Sequence, residues 1–264
     1  MPTVLFKRKR IFYKDSGQGN TIVLLHGFTE SQKIWNHFVK VLAKEFRVIT
    51  IDLPGHGKSE NIADIHTMEL QAEVVHAVLK NAGIRKCTMV GHSMGGYVTL
   101  AFARKYSKKL NGIGIFHSHC FPDSAEDREN RVRTIELVRN DKFGFLTNFI
   151  TNLFPPEVQK KFSRKIGELI NEAGKMQKEA IIAALEGLKI RKDQTSLLSS
   201  TKLPFLFILG LKDSKVPVSR FWEMISLAAK SESLILRDTG HMGYIEAPKA
   251  TLDAIRQFAL KVSE

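Results

Sequence analysis

The sequence predicts an α/β protein with a mostly parallel sheet that is covered by helices on both faces. Short, almost fully apolar runs recur along the chain, and stretches with helical spacing of apolar residues lie between them. Polar and glycine residues follow several of the apolar runs directly, as they do at the carboxyl ends of parallel strands. This alternation is typical of strands joined by crossover helices.

Eight segments have the length and apolar character of strands, which predicts an eight-stranded sheet. Those in the first half of the chain are separated by short polar turns and by helical stretches. The predicted strands are Val4–Phe6, Ile11–Lys14, Thr21–His26, Phe46–Asp52, Cys87–His92, Gly112–His117, Pro204–Gly210 and Ser233–Leu236.

Helical patterns fill most of the remaining chain. Five lie between or after the strands, at Ile34–Lys44, Met68–Ala82, Met94–Lys105, Val218–Ala229 and Pro248–Val262. The region from about residue 118 to 202 breaks the alternation, because it contains only helical patterns, at Glu129–Asn140, Lys142–Leu153, Pro156–Ala173 and Lys175–Lys189. Pro155, Pro156 and Gly174 separate these helices.

Ser93 lies in the sequence G-H-S-M-G-G (91–96), between a predicted strand and a predicted helix. A strand that passes directly into a helix turns so sharply that only small residues fit beside the serine, and the turn exposes its hydroxyl. The first N–H of the helix, on Met94, points to where an oxyanion would form. The pattern predicts Ser93 as a nucleophile, which needs a base and an orienting acid.

Two later segments supply these groups. Asp213 follows the predicted strand Pro204–Gly210, at the strand end where open α/β sheets collect functional groups. His241 follows the last predicted strand, in the sequence D-T-G-H (238–241). Ser93, Asp213 and His241 therefore occur in the order nucleophile, acid and base along the chain.

Two loops near the N-terminus complete a recognisable pattern. They are H-G-F at 26–28 and D-L-P-G-H-G-K-S at 52–59, each directly after a predicted strand. With the serine turn, the acid and the histidine in this order, the chain resembles the α/β-hydrolase-fold superfamily, in particular its carboxylesterase-like serine hydrolases with a helical cap. The similarity extends from about Thr21 to the C-terminus and is weakest between about Ser118 and Lys202.

The resemblance implies a core domain at 1–117 and 203–264 and a helical cap inserted at 118–202. It implies a catalytic triad of Ser93, Asp213 and His241, with the backbone N–H groups of Phe28 and Met94 as the oxyanion hole. No cofactor is needed for this chemistry, and the nine histidines form no metal-binding pattern. A serine at position 93 argues against the dehalogenases and epoxide hydrolases of the family, whose covalent intermediate forms on a carboxylate.

These residues favour hydrolysis of carboxylic esters through an acyl-enzyme on Ser93. Phenylalanine and leucine side chains are dense in the predicted cap, which predicts a cavity for small, largely apolar substrates. Cleavage of a carbon–carbon bond in a diketone, of a thioester or of a lactone is open to the same triad. A different class also stays open, because some proteins of this fold keep the triad and act as small-molecule receptors.

Asp123 is the one alternative to Asp213 as the acid. It follows the predicted strand that ends at His117, and some members of the family place the acid after that strand. Asp52 is expected instead to bind N–H groups of its own loop.

The other histidines have weaker contexts than His241. His26 and His56 precede the nucleophile in the chain and are expected to stabilise their loops, and His92 is expected to bond locally. His117 and His119 follow a strand end and could reach the cavity.

We expect a soluble, cytoplasmic protein that acts on a small-molecule substrate, as the resemblance implies. The net charge is +13, but the excess is spread along the chain, and its densest cluster, Lys7 to Arg10, falls in an expected exposed strand or hairpin. No nucleic-acid signature accompanies it. No apolar run approaches the length of about 18 residues that a membrane span needs, and the N-terminus lacks the pattern of a signal peptide. The oligomeric state is not indicated.

Overall fold

A single eight-stranded sheet organises the protein, which the computed structural model describes over residues 2–263. The strand order is β1-β2-β4-β3-β5-β6-β7-β8. The strands are β1 (Thr3–Phe6), β2 (Lys9–Ser16), β3 (Thr21–Leu25), β4 (Arg47–Ile51), β5 (Cys87–His92), β6 (Leu110–Phe116), β7 (Phe205–Gly210) and β8 (Ser231–Leu236). Only β2 runs against the others, since it pairs antiparallel with β1 and β4 while every other pairing is parallel. The predicted mostly parallel sheet is confirmed.

Burial along the strands explains why they are almost continuously apolar. All six residues of β5 and all six of β7 are buried, because helices or loops cover both faces of the central sheet. The edge strand β8 is different, since its residues are exposed or half-buried. Its short apolar pattern made it the weakest of the parallel strands in the sequence.

Twelve α-helices are present in residues 2–263. They are α1 (Asn36–Leu42), α2 (Met68–Asn81), α3 (Met94–Tyr106), α4 (Ala125–Asn140), α5 (Lys142–Thr151), α6 (Pro156–Gln159), α7 (Ser163–Gly174), α8 (Lys178–Lys189), α9 (Thr195–Ser200), α10 (Val218–Leu227), α11 (Gly243–Glu246) and α12 (Pro248–Lys261). Helices α4 to α9 all lie between β6 and β7, where the sequence predicts the cap. None of the twelve combines the length and apolar character needed to cross a bilayer.

The helices differ from the predictions in four places. The predicted helix Ile34–Lys44 begins as a 3-10 turn at Gln32–Trp35, and the predicted helix Pro156–Ala173 is divided into α6 and α7. Neither α9 nor α11 was predicted. Side-chain caps explain several starts that the apolar spacing left uncertain, because Ser124 and Asp127 form a capping box at the start of α4. Nothing in the local sequence marks the break between α6 and α7.

Helix α8 packs directly against the segment that precedes α2. The backbone N–H of His66 donates to the carbonyl of Ala183 at 2.9 Å. A Cβ atom on Gly187 would lie 1.8 Å from the carbonyl oxygen of His66, so only glycine permits this approach. This contact joins the inserted helices to the rest of the protein.

We expect Gly187→Ala to destabilise the protein by about 2 kcal/mol, because the added methyl group must displace a backbone carbonyl rather than a flexible side chain. Gly167→Ala in α7 is the matched control. A Cβ atom there meets nothing within 4 Å, so alanine should raise stability by up to about 1 kcal/mol through its helix propensity. Urea unfolding of both variants measures the difference, and equal effects would contradict the close approach.

Candidate active site

Ser93 occupies a strained turn between β5 and α3. Its φ is 50° and its ψ is −118°, a conformation that non-glycine residues rarely adopt. The residues around it must be small, since a Cβ atom on Gly91 would lie 2.1 Å from the carbonyl oxygen of Gly95. The N–H of Ser93 donates to the carbonyl of Phe116 at 2.9 Å, which ties the turn to the end of β6. The sharp turn expected from the sequence is present.

The structure brings Ser93, His241 and Asp213 together in one hydrogen-bonded row. The Nε2 atom of His241 lies 2.9 Å from the hydroxyl oxygen of Ser93, and its Nδ1 atom lies 2.9 Å from each carboxylate oxygen of Asp213. Asp213 and His241 lie in the loops after β7 and β8, so the parallel sheet delivers all three groups to one edge. Their roles as acid and base remain predictions.

Asp213 is fully buried and is held by donors on both oxygens. The backbone N–H groups of Lys215 and Val216 donate to its Oδ1 atom at 2.7 and 3.1 Å, and the Nδ1 atom of His117 lies 2.9 Å from Oδ2. Burial alone would raise the pKa of Asp213, but His241 and the donated hydrogen bonds outweigh it and hold that pKa well below its usual range. The carboxylate is therefore ionised at neutral pH.

His117 is a member of this network that the sequence suggested only as a cavity residue. It lies at the end of β6 with a φ of 48°, is fully buried, and directs Nδ1 at Asp213. Its Nε2 atom has no hydrogen-bond partner among residues 2–263. Burial lowers the pKa of His117 to about 4, so the ring is neutral and donates through Nδ1. One atom each of His117, Asp213 and His241 lie within 4.8 Å of one another, as metal ligands do, but hydrogen bonds already join them.

The two residues predicted to form the oxyanion hole line the same cavity as Ser93. They are Phe28, in the loop after β3, and Met94, the first residue of α3. Neither backbone N–H donates to an acceptor within the described chain. Both N–H groups are therefore available to a ligand, and their role towards an oxyanion stays a prediction.

A buried ion pair supports the backbone of His241. The Nε2 atom of His92 lies 2.9 Å from the carbonyl oxygen of His241, so this nitrogen carries a proton. Its Nδ1 atom lies 3.0 Å from Glu30, whose carboxylate also accepts hydrogen bonds from the N–H of Gly27 and the hydroxyl of Tyr244. An acceptor of this kind is ionised, so Nδ1 donates as well and His92 is an imidazolium.

The pKa directions agree with this assignment. Burial opposes the charge on both groups, but mutual attraction and hydrogen bonding outweigh it, which lowers the pKa of Glu30 to about 2 and raises the pKa of His92 above its ordinary value. The sequence predicted only a local bond for His92. Glu30 was not singled out, and a carboxylate two residues after the H-G-F loop is the only signal that could have found it.

Several other predicted residues have structural roles. His26 accepts from the N–H of Leu53 at 2.9 Å and thereby joins the two N-terminal loops. Asp52 accepts from the N–H of Lys58 at 2.9 Å, within its own loop, and from Gln32 at 2.8 Å. His56 is buried beside His26, with its Nδ1 2.9 Å from the carbonyl of Pro54.

The structure places Asp123 away from His241. Its buried carboxylate is bound by Arg191 and, at 3.0 Å, by Arg131. His119 lies 3.1 Å from the hydroxyl of Tyr97 and lines the cavity, and burial lowers its pKa to about 3. Asp213 is the carboxylate that contacts the base.

A cavity of about 570 Å³ opens above Ser93 and His241. Part of its lining is apolar, from Phe28, Phe145, Phe149, Leu185 and Leu188. Charged side chains line it as well, which differs from the predicted roof of phenylalanine and leucine. Those charged side chains come from α4, α10 and the loops, where sequence spacing does not show which way a side chain points.

A larger cavity, of about 770 Å³, lies between the loop after β3 and helix α7. It includes Glu30 and Tyr244 but no side chain of the Ser93, His241 and Asp213 group. Ser93 and His241 line the smaller cavity instead.

We expect Glu30→Gln to destabilise the protein more at pH 5 than at pH 9. In the wild type the raised pKa of His92 contributes stability below its unfolded value of about 6.5, and this contribution is lost as the pH rises through the folded pKa. In the variant, buried His92 loses its counterion and resists protonation. The free energies of unfolding of the wild type and of Glu30→Gln should therefore converge as the pH rises. The gap should shrink by about 1.4 kcal/mol for each unit by which the folded-state pKa of His92 differs between the two proteins.

Urea unfolding at the two pH values measures this convergence. Glu45→Gln is the control, because Glu45 is exposed and paired with Arg256 at the surface, where an ion pair contributes little. A gap for Glu30→Gln that does not change with pH would show that His92 is uncharged.

Comparison with known proteins agrees with this geometry. A family model described as alpha/beta hydrolase fold matches residues 20–248. The chain is 27% identical over 276 residues to a 2-hydroxy-6-oxononadienedioate/2-hydroxy-6-oxononatrienedioate hydrolase of Escherichia coli, which covers 96% of this chain and 91% of that protein. It is 27% identical over 249 residues to the pimeloyl-[acyl-carrier protein] methyl ester esterase of Aeromonas hydrophila, covering 92% and 96%.

A solved structure is similar over nearly the whole chain. It is the malate-bound thermophilic esterase of Thermogutta terrifontis, with a TM-score of 0.92 and 32% identity over 97% of this chain and 95% of that one. The sheet order, the serine turn and the family model lead to one conclusion: the protein belongs to the α/β-hydrolase family.

Proposed function

We propose that the protein is a serine hydrolase that cleaves carboxylic esters of small substrates through an acyl-enzyme on Ser93. The observation that carries this proposal is the row from the Ser93 hydroxyl through His241 to Asp213, at hydrogen-bond distance throughout and open to a cavity. The two free N–H groups of Phe28 and Met94 on that cavity support it.

The chemistry follows from these contacts. The Nε2 atom of His241 accepts the Ser93 proton as the hydroxyl oxygen attacks the ester carbonyl, and later returns a proton to the leaving alcohol. Asp213 keeps the other proton on Nδ1 and stabilises the imidazolium. The carbonyl oxygen becomes an oxyanion between the N–H groups of Phe28 and Met94, where each donor contributes ~3 kcal/mol in comparable enzymes. Water then attacks the acyl-enzyme by the same route.

The ordered position of His241 favours turnover over mere binding. Its N–H donates to the carbonyl of Leu153 at 3.0 Å, and its carbonyl accepts from His92. A small-molecule receptor has no need of a base fixed on both sides of its backbone. Small-molecule binding without catalysis is therefore the weaker interpretation.

Hydrolysis of a carbon–carbon bond or of a lactone is the second candidate. The Escherichia coli relative acts on a substrate whose name contains a ketone and two carboxylates but no ester. The same serine, base and oxyanion donors suit attack on such a carbonyl. The cationic side chains that line the cavity favour this candidate over hydrolysis of purely apolar esters, because a substrate such as the dicarboxylate of the Escherichia coli relative carries anionic groups. For either reaction we propose a small-molecule substrate and no cofactor. We also propose that the protein acts in the cytoplasm.

We expect an organophosphonate ester to add one mass increment to the wild-type protein and none to Ser93→Ala. Ser214→Ala is the matched control, since Ser214 lines the same cavity but its hydroxyl donates to the carbonyl of Asn152 at 2.9 Å. Intact-protein mass spectrometry reads the result. Labelling that persists in Ser93→Ala would overturn the assignment of the nucleophile.

We expect Asp213→Asn to lower kcat for a simple aryl ester by about 10⁴, because the amide no longer selects the reactive tautomer of His241. Asp123→Asn should cost far less, since Asp123 contacts arginines and not the base. The two variants are compared by steady-state kinetics on a panel of esters, thioesters, lactones and a β-diketone. Turnover below one per hour across the whole panel in the wild type would favour the receptor.

A further inference from the structure

The cavity beside Ser93 carries more positive than negative charge. Among the residues that line it, four side chains are cationic and two are anionic. The cationic residues are Arg131, Arg191, Lys215 and Arg220, and the anionic residues are Asp123 and Asp127. Asp127 is occupied at the start of α4, where it accepts from the N–H and hydroxyl of Ser124 at 3.1 and 2.8 Å. Both carboxylates keep their negative charge, so the lining residues carry two more cationic than anionic side chains.

Asp123 is shared between two guanidinium groups. Its side chain is 1% exposed and is bound on one oxygen by Arg191 and on the other by the Nε atom of Arg131. Arg191 is buried too and donates in addition to the carbonyls of Phe121 and Leu188 at 3.0 and 3.2 Å, so its Nε atom and one terminal nitrogen are bound. Arg131 contacts Asp123 through Nε only, and its side chain is 26% exposed. The terminal nitrogens of Arg131 have no acceptor in the described structure.

Arg220 and Lys215 have no counterion within the cavity. The one carboxylate near Arg220 in residues 2–263 is Glu223, at 3.7 Å on the exposed side of the same helix. Lys215 has no carboxylate within 4.0 Å among the described residues. By contrast, Lys212 in the same loop points away from the cavity and is bound by Glu157 and Asp238.

Aromatic rings lie against Arg220 and Lys215. The guanidinium of Arg220 lies over the ring of Phe121, 4.5 Å from its centre, and the ammonium of Lys215 lies 5.3 Å from the centre of the Phe149 ring. Stacking uses the face of a guanidinium and leaves its N–H edge free for bidentate binding of a carboxylate. Phe149 also packs edge-on against Phe28, at 5.5 Å, so Lys215 lies beside the oxyanion loop.

We propose that Arg131, Lys215 and Arg220 form an anion subsite that binds a second, ionised carboxylate of the substrate. The substrate class is then a small ester that carries a free carboxylate at some distance from the scissile bond. This inference rests on the proposed function, because the same cavity contains Ser93 and His241. The apolar side formed by Phe28, Phe145 and Phe149 accommodates the chain between the two groups.

The test compares matched esters. One set places the carboxylate on the acyl part: monoethyl esters of dicarboxylic acids with five to eight carbons are compared with ethyl esters of monocarboxylic acids of equal length. The other set places it on the alcohol part: acetyl esters of hydroxy acids are compared with acetyl esters of simple alcohols. We expect kcat/KM to be about tenfold higher or more for the anionic member of at least one pair, as one charge-assisted contact provides.

Substitutions assign the preference to the subsite. Lys215→Gln and Arg220→Gln should each lower the anionic-to-neutral ratio of kcat/KM, and the double variant should bring it close to one. Neither substitution leaves a buried carboxylate unpaired, so both variants should fold. Lys212→Gln is the matched control, which removes the same charge from the same loop but should not change the ratio.

Binding provides a readout that does not depend on turnover. Adipate should bind the wild-type protein in isothermal titration and bind the double variant at least tenfold more weakly. If no ester is hydrolysed but adipate binding shows this loss, the subsite stands and the proposed function falls. Three results would each overturn the subsite. The first is an anionic-to-neutral ratio of kcat/KM of one or below in the wild type, and the second is a ratio that Lys215→Gln, Arg220→Gln and the double variant all leave unchanged. The third is adipate binding that is equally tight in the wild type and the double variant.

Discussion

The site depends on the hydrogen bonding of one buried carboxylate. Four N–H donors from three parts of the chain converge on Asp213: the backbone of Lys215 and Val216, the ring of His117 at the end of β6, and the ring of His241 after β8. A buried charge without such donors would cost several kcal/mol, so the folded state must bring all of them together. The ends of β6, β7 and β8 are thereby held in one arrangement.

His241 is the point at which the inserted helices and the sheet meet. Its N–H is bound by Leu153 from the segment after α5, and its carbonyl is bound by His92 beside the nucleophile. His92 in turn is charged because Glu30, in the loop after β3, is ionised. His241 is therefore positioned through its backbone by two elements that are distant in sequence, and the segment between β6 and β7 contributes to this contact.

The cavity is lined by both apolar and cationic side chains. Phe28, Phe145 and Phe149 suit an acyl chain, whereas the cationic side chains suit an anion. Lys215 and Arg220 lie over aromatic rings, and the one carboxylate paired with Arg220, that of Glu223, does not line the cavity. The proposed anion subsite links the positive charge of the sequence to one local feature.

The sequence by itself determined the fold class, the eight strands and the order of Ser93, Asp213 and His241, because these depend on local periodicity and on turn chemistry that only a few residues permit. It also favoured Asp213 over Asp123 as the acid. It could not reveal the contacts of Glu30 with His92 and Tyr244 or that of His117 with Asp213, because these contacts join residues 62 to 214 positions apart. The direction of Lys215 and Arg220 into the cavity was likewise invisible, since a charged residue on a loop or short helix has no periodic signal. Only the tertiary structure decides which buried charges meet, because their partners come from different strand ends.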